Sequence, residues 1–179
     1  MRSQKFIILD RDGVINFDSP EYIKSPDEWK PIPESINAIK TLTDNDFNII
    51  VITNQSAINK GLLSYESFTR INMKMLDTIT KIGGAIHSIL YCPHTSDEIS
   101  TTRKPLPGMF IEAASRFNFD PKKTFAIGDS PRDIEAAKLA QCVPIAVRTG
   151  NGKKIEDHNK YKVKIFDNLN CAVEFIIKK

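Results

Sequence analysis

The chain has 179 residues, of which 41% are hydrophobic and 26% charged, and 25 Lys and Arg against 22 Asp and Glu leave a net charge of +3. This composition excludes a mostly disordered chain, and the length predicts one domain spanning residues 1–179. So small an excess of charge gives no ground for a nucleic-acid or membrane partner, although it suits an anionic small molecule.

The three cysteines, Cys92, Cys142 and Cys171, are odd in number and far apart, so they build no disulfide framework and point to a reducing compartment. The apolar run at the N-terminus, Phe6 to Leu9, is too short for a signal peptide or a membrane helix. The expectation is a cytoplasmic monomer.

Apolar runs of strand length alternate with segments of helical period. Residues 6–9 predict a first strand, 33–46 a helix begun by Pro33, and 48–52 a second strand. A long helix follows Ser64, with Phe68, Ile71, Met75, Ile79 and Ile82 inward and Gly83-Gly84 at its end. Residues 87–92 predict a third strand and 107–118 a helix with Phe110, Ile111, Ala114 and Phe117 inward. A fourth strand over 124–127, a helix over 130–140, a fifth strand over 143–147, a sixth over 163–166 and a helix over 168–177 complete the chain. The polar stretch from Thr149 to Lys162 reads as a mobile loop, and Trp29 as a packing residue.

Strands that are apolar throughout are covered on both faces. The predicted fold is therefore α/β, a doubly wound parallel sheet in a three-layer sandwich, with strand order near 3-2-1-4-5. The segments after strands one and two have room for a short flap but not for a large cap domain. Ligands of such sheets bind beyond the carboxyl ends of the strands. Asp10-Arg11-Asp12-Gly13 follows strand one, and Thr53-Asn54-Gln55-Ser56 follows strand two. Cys92-Pro93-His94 and then Arg103-Lys104-Pro105 follow strand three, and Asp129-Ser130-Pro131-Arg132-Asp133 follows strand four.

Carboxylates, a hydroxyl and a lysine on one sheet edge suit phosphoryl transfer. One carboxylate of the Asp10/Asp12 pair can attack phosphorus and form an aspartyl-phosphate. Like charges held together raise one carboxyl pKa, so one Asp can serve as a protonated acid while the other stays ionised. Asp10 and Asp129 form an oxygen-ligand pair for Mg²⁺. Lys104, Thr53 and nearby backbone amides would stabilise the phosphoryl oxygens. Each residue alone also has a plainer reading: a loop carboxylate pair, a strand-end turn at Thr53, a solvated Lys104, and a charged helix start at Asp129 and Asp133. It is the joint pattern at four strand ends that favours chemistry.

ILDRDGVIN, VITNQS, RKPLPGM and IGDSPRD stand in the order of four motifs, and the chain from about residue 5 to 150 resembles the haloacid dehalogenase-like phosphatases. The resemblance implies Asp10 as nucleophile, Asp12 as general acid and then base, and Thr53 and Lys104 as phosphoryl stabilisers. It also implies Mg²⁺ on Asp10, Asp129 and the backbone carbonyl of Asp12, with Ser130 and Asp133 supporting these groups. A narrower likeness, carried by DRDGVIN, TNQSAINKG, YCPH and RKPLPGM, is to the D,D-heptose 1,7-bisphosphate 7-phosphatases, with the histidinol-phosphate phosphatases close behind. It implies substrate contacts from Asp18, Ser19, Glu21, Tyr22, Asn54, Gln55, Ser56 and Arg103. The Arg103 guanidinium suits a second phosphate. That subgroup often carries lysine at the position of Ser130.

The subgroup also carries Cys-x-His and Cys-x-Cys as a structural zinc loop. Here Cys92 and His94 remain, while Ser100 and Thr102 replace the second pair, so two of four ligands are present and structural zinc is not expected. Lys104 is then expected to be positioned by loop packing and Pro105. The expected activity is Mg²⁺-dependent removal of the 7-phosphate of a heptose bisphosphate used for lipopolysaccharide-core or surface-glycan precursors. The alternatives are a histidinol-phosphate phosphatase, a polynucleotide 3′-phosphatase or a non-catalytic phosphosugar-binding protein.

Overall fold

A computed structural model describes residues 4–157 and 161–178, so His158 lies outside the described residues. Six strands, β1 (Lys5–Leu9), β2 (Phe47–Asn54), β3 (Ser88–Cys92), β4 (Phe125–Gly128), β5 (Val143–Val147) and β6 (Lys164–Phe166), form one sheet in the order β3-β2-β1-β4-β5-β6. Every neighbouring pair is parallel. The helices are α1 (Pro33–Asp44), α2 (Tyr65–Thr80), α3 (Gly108–Phe117), α4 (Pro131–Leu139), α5 (Lys153–Asp157) and α6 (Leu169–Ile177).

The two-residue period of a strand explains the three layers. Ile7 and Leu9 of β1 face one core with Ile49 and Val51 of β2, beneath α1, α2 and α6. Phe6 and Ile8 face the opposite core with Ile50 and Ile52, beneath α3 and α4. Each fully buried Ile or Leu contributes about 1.5–3 kcal/mol, so both faces must be covered and β1 is fixed at the centre. Ser64 caps α2 by accepting a hydrogen bond from the Ser67 backbone N–H at 3.0 Å, and Phe68, Ile71, Met75 and Ile79 carry its buried stripe. Trp29 is fully buried in the first core.

Three expectations change. Ile82 is 36% exposed and Ile111 57% exposed, because α2 ends at Thr80 and because Ile111 lies on the outer face of α3. The polar stretch after β5 contains a helix, α5, and is pinned at its start. Arg148 pairs with Glu156 and Asp167, and its backbone N–H donates to the Phe166 carbonyl at 2.8 Å. Polarity here serves ion pairing and not solvation alone. Among the described residues no helix is long and apolar enough to cross a membrane.

Candidate active site

Register sets the geometry. Leu9 is level with Val51 on one side and Ile127 on the other, so Asp10, Thr53 and Asp129 all stand at the carboxyl rim of the sheet. The Asp10 backbone N–H donates to the Ile127 carbonyl at 2.9 Å, which ties the first loop to β4. The Ser35 hydroxyl of α1 donates to the Val14 carbonyl at 2.6 Å and anchors the other end of that loop.

Lys104 sits at the centre, 3% exposed. Its Nζ lies 3.0 Å from Asp10 Oδ1 and 2.6 Å from Asp133 Oδ1, and donates to the Ile52 carbonyl at 2.9 Å. Burial works against its charge, but Asp10 and Asp133 outweigh burial and raise its pKa. Asp133 is pushed up by burial and then held below the usual range by Lys104 and Ser130. Its Oδ2 accepts from the Ser130 backbone N–H at 3.0 Å and from the Ser130 hydroxyl at 2.5 Å. The Ser130 hydroxyl is therefore turned onto Asp133.

Lys104 is positioned by more than packing and Pro105. The Asn54 side chain clasps its backbone, Nδ2 donating to the Lys104 carbonyl at 3.0 Å and Oδ1 accepting from its N–H at 3.1 Å. The preceding loop is closed by Ser100 Oγ, which accepts from the Arg103 N–H at 3.2 Å, and the Arg103 guanidinium donates to the His94 carbonyl at 2.8 Å. Cys92, His94, Ser100 and Thr102 do converge: Cys92 Sγ lies 3.3 Å from His94 Nδ1, 3.6 Å from Ser100 Oγ and 3.4 Å from Thr102 Oγ1. Two hydroxyls in this set make it a hydrogen-bonded cluster.

Asp12 is held on all sides. Arg11 donates to both of its oxygens at 3.0 Å, Asn16 Nδ2 donates at 2.9 Å and Gln55 Nε2 at 2.8 Å. Burial pushes this carboxyl up, but the Arg11 guanidinium and these hydrogen bonds bring it below the usual range. Asp10 goes the other way, raised by burial and by the charges of Asp133, Asp129 and Asp12 despite Lys104. The raised carboxyl of the pair is thus Asp10 and not Asp12, because Arg11 neutralises one partner locally. Gln55 Nε2 also donates to Thr53 Oγ1 at 2.9 Å.

Asp129 is pushed up to about 7 by burial and by Asp133, against a hydrogen bond from the Asn151 backbone N–H at 2.7 Å. That bond occupies Oδ2, and two glycines close around the same oxygen. Gly13, at φ +81°, and Gly150, at φ +59°, each leave so little room that a Cβ on either would overlap it.

One carboxylate oxygen from each of Asp10, Asp129 and Asp133 lies within 4.8 Å of the other two. Four carboxylates, Asp10, Asp12, Asp129 and Asp133, face two buried cations, Arg11 and Lys104. The deficit of positive charge, and an all-oxygen donor set, fit a divalent hard cation. Asp133 already uses both oxygens, so Asp10 and Asp129 are the carboxylates left to hold one.

The cleft is also lined by Asp18, Ser19, Tyr22, Asn54, Ser56 and Arg103. Glu21 is exposed and is not among its lining residues, while the next residue, Tyr22, stands at φ +66° and lines the cleft. Sequence reasoning missed Ile23, Arg132 and Asn151, which do line it. Asn151 follows β5, so the rule of inspecting each strand tip would have found it at the fifth.

Residues 7–141 match the model of the haloacid dehalogenase-like hydrolases. A D-glycero-β-D-manno-heptose-1,7-bisphosphate 7-phosphatase of Bordetella bronchiseptica is 45% identical over 150 residues, 84% of each chain. The enzyme of that name from Neisseria meningitidis serogroup A is 37% identical over 179 residues, 98% of this chain and 96% of the relative. The crystal structure of a D,D-heptose 1,7-bisphosphate phosphatase from B. bronchiseptica, complexed with magnesium and phosphate, superposes with a TM-score of 0.95 at 40% identity, covering 97% of this chain and 98% of the other. Four motifs at successive strand tips, the sheet order they impose and the match over residues 7–141 lead to one conclusion: the chain belongs to the haloacid dehalogenase-like hydrolases.

Proposed function

We propose that the chain is a Mg²⁺-dependent phosphomonoesterase that removes the 7-phosphate of D-glycero-β-D-manno-heptose 1,7-bisphosphate through a phospho-Asp10 intermediate. The observation that carries this reading is Lys104 held between Asp10 and Asp133 beside Asp129, in a chain 45% identical to a phosphatase of that name.

In the first step an Asp10 carboxylate oxygen attacks phosphorus, and the bond to the sugar oxygen breaks. Asp12 gives its proton to that oxygen, and the heptose 1-phosphate leaves as an alcohol. In the second step Asp12, now a carboxylate, takes a proton from water. The water oxygen attacks the phosphorus of the acyl phosphate, releasing inorganic phosphate and restoring Asp10. The Arg11 pairing disfavours the proton on Asp12, and the negative phosphoryl group of the substrate opposes that pairing from the other side.

Lys104, the Thr53 hydroxyl and backbone N–H groups after β2 stabilise the phosphoryl oxygens. Asp10, Asp129 and the Asp12 backbone carbonyl would hold Mg²⁺, which neutralises phosphoryl charge. Ser130 and Asp133 position Lys104. Asp18, Ser19, Tyr22, Asn54, Gln55 and Ser56 shape the sugar side of the cleft, and Arg103 takes the second phosphate. The chain acts as a cytoplasmic monomer on a free small molecule. Its unpaired cysteines support the compartment, and its small net charge supports the absence of nucleic acid.

The test is a substrate panel with released phosphate as readout. The heptose bisphosphate is expected to exceed histidinol phosphate and a 3′-phosphorylated oligonucleotide in kcat/KM by about 100-fold or more, the scale of two lost charge-assisted hydrogen bonds. Equal or better turnover of either competitor would move the chain to that substrate.

A further inference from the structure

We infer that Asn151 is a positioning residue that ties the substrate-facing flap, residues 17–31, to the carboxylate of Asp129. Its backbone N–H donates to Asp129 Oδ2 at 2.7 Å, while its side-chain Nδ2 donates to Asp18 Oδ2 at 3.1 Å. One residue thus holds a group at the reacting end of the cleft and a group at its mouth.

The segment that carries Asn151 is tied to the fold on its N-terminal side. Thr149 Oγ1 donates to the Gly13 carbonyl at 2.6 Å, and Arg148 is locked to Glu156 and Asp167. The flap is held elsewhere by separate moorings. Lys74 Nζ of α2 donates to the carbonyls of Pro26 and Trp29 at 2.7 and 3.3 Å, and Lys60 Nζ donates to the Tyr22 hydroxyl at 2.7 Å. Asp18 Oδ1 accepts from the N–H of Ser19, the next residue, at 2.8 Å, so among the described residues Asn151 supplies the side-chain hydrogen bond that ties Asp18 to a distant segment.

A neutral amide donor suits this place. A lysine would pair with Asp18 as a charge and compete with a cation at Asp129, whereas Asn orients both carboxylates without adding to the charge of the site. Removing the side chain leaves the backbone N–H to Asp129 in place and frees Asp18 alone. The loss should therefore fall on substrate binding before it falls on the chemical step.

The inference rests on the phosphatase reading for its kinetic arm, and a second arm needs no substrate. In the full-length protein with Mg²⁺, Asn151→Ala is expected to raise KM for the heptose bisphosphate about five- to tenfold with kcat within about twofold, the scale of one hydrogen bond. Asn151→Asp sets two carboxylates against each other and should be worse. Without substrate, amide hydrogen exchange of residues 19–22 should accelerate in Asn151→Ala while residues 26–29, moored by Lys74, keep their protection. A wild-type KM in Asn151→Ala, or unchanged amide exchange of residues 19–22, would overturn the inference. Failure of wild type to turn over the bisphosphate would overturn the substrate reading and leave the exchange experiment decisive for Asn151.

Discussion

The same strands end in two different environments. At their carboxyl rim, Lys104, Asp10, Asp133, Asp129, Asp12 and Arg11 are packed together, buried or largely so. Near their amino rim, Phe6 packs against Phe117, Phe119 and His87 with ring centroids 6.2, 5.0 and 5.8 Å apart. Buried charge is costly even when paired, whereas buried aromatic surface stabilises. The contrast teaches that the amino half of the sheet carries stability and the carboxyl rim carries reactivity, with a central strand spanning both. The rims should then respond to mutation in opposite ways.

The largest effect is expected from Asp10→Asn. A carboxamide cannot form the acyl phosphate, so turnover should fall by about 10⁴ or more. The metal-free protein should melt no lower than wild type, because burial and neighbouring carboxylates already disfavour charge at this position. Released phosphate and a thermal melt measure the two halves. A few percent of residual rate would remove Asp10 from the nucleophile's role, and a large drop in Tm would break the comparison from the stability side.

Phe6→Ala should do the reverse. Deleting a buried ring costs about 3–5 kcal/mol, read as a lower denaturant midpoint, while kcat/KM per folded molecule stays within about twofold. A loss of activity that exceeds the loss of folded protein would show that the aromatic rim shapes the site.

The smallest effect is in pH. Asp129, pushed up to about 7, binds its proton more tightly in the folded chain than in the unfolded one. Between about pH 4 and 7 the folded state therefore holds the extra proton, and stability of the metal-free protein falls as pH rises through that window. Raised Asp10 acts in the same sense, while lowered Asp12 and Asp133 withdraw stability only below about pH 4. The Tm without metal should drop by a few degrees from pH 5 to 7.5, and saturating Mg²⁺ should flatten the slope. A flat profile in a chelator-treated sample would mean that the charges are better compensated than their burial implies.

The strand tips were legible because each is a junction of two signals, an apolar run followed at once by chemistry-bearing residues. Asp10 after Leu9 and Asp129 after Gly128 are of this kind. What escaped is made by contacts between segments far apart in the chain, such as Thr149 on Gly13 or Asn54 on Lys104. Such contacts leave no periodicity, and the polar composition that suggested mobility after β5 is the same composition that makes its ion pairs. Glu21 lies exposed outside the lining of the cleft that its neighbours Ser19 and Tyr22 reach, so adjacency in sequence alone does not place a side chain there.

The pinch of Gly13 and Gly150 on Asp129 Oδ2 has a kinetic meaning. A carboxylate flanked by two bare backbones and fixed by an amide cannot spin about its last bond. It presents a single oxygen in one direction, so the orientational entropy that a free side chain would lose at every catalytic cycle is lost once, when the chain folds.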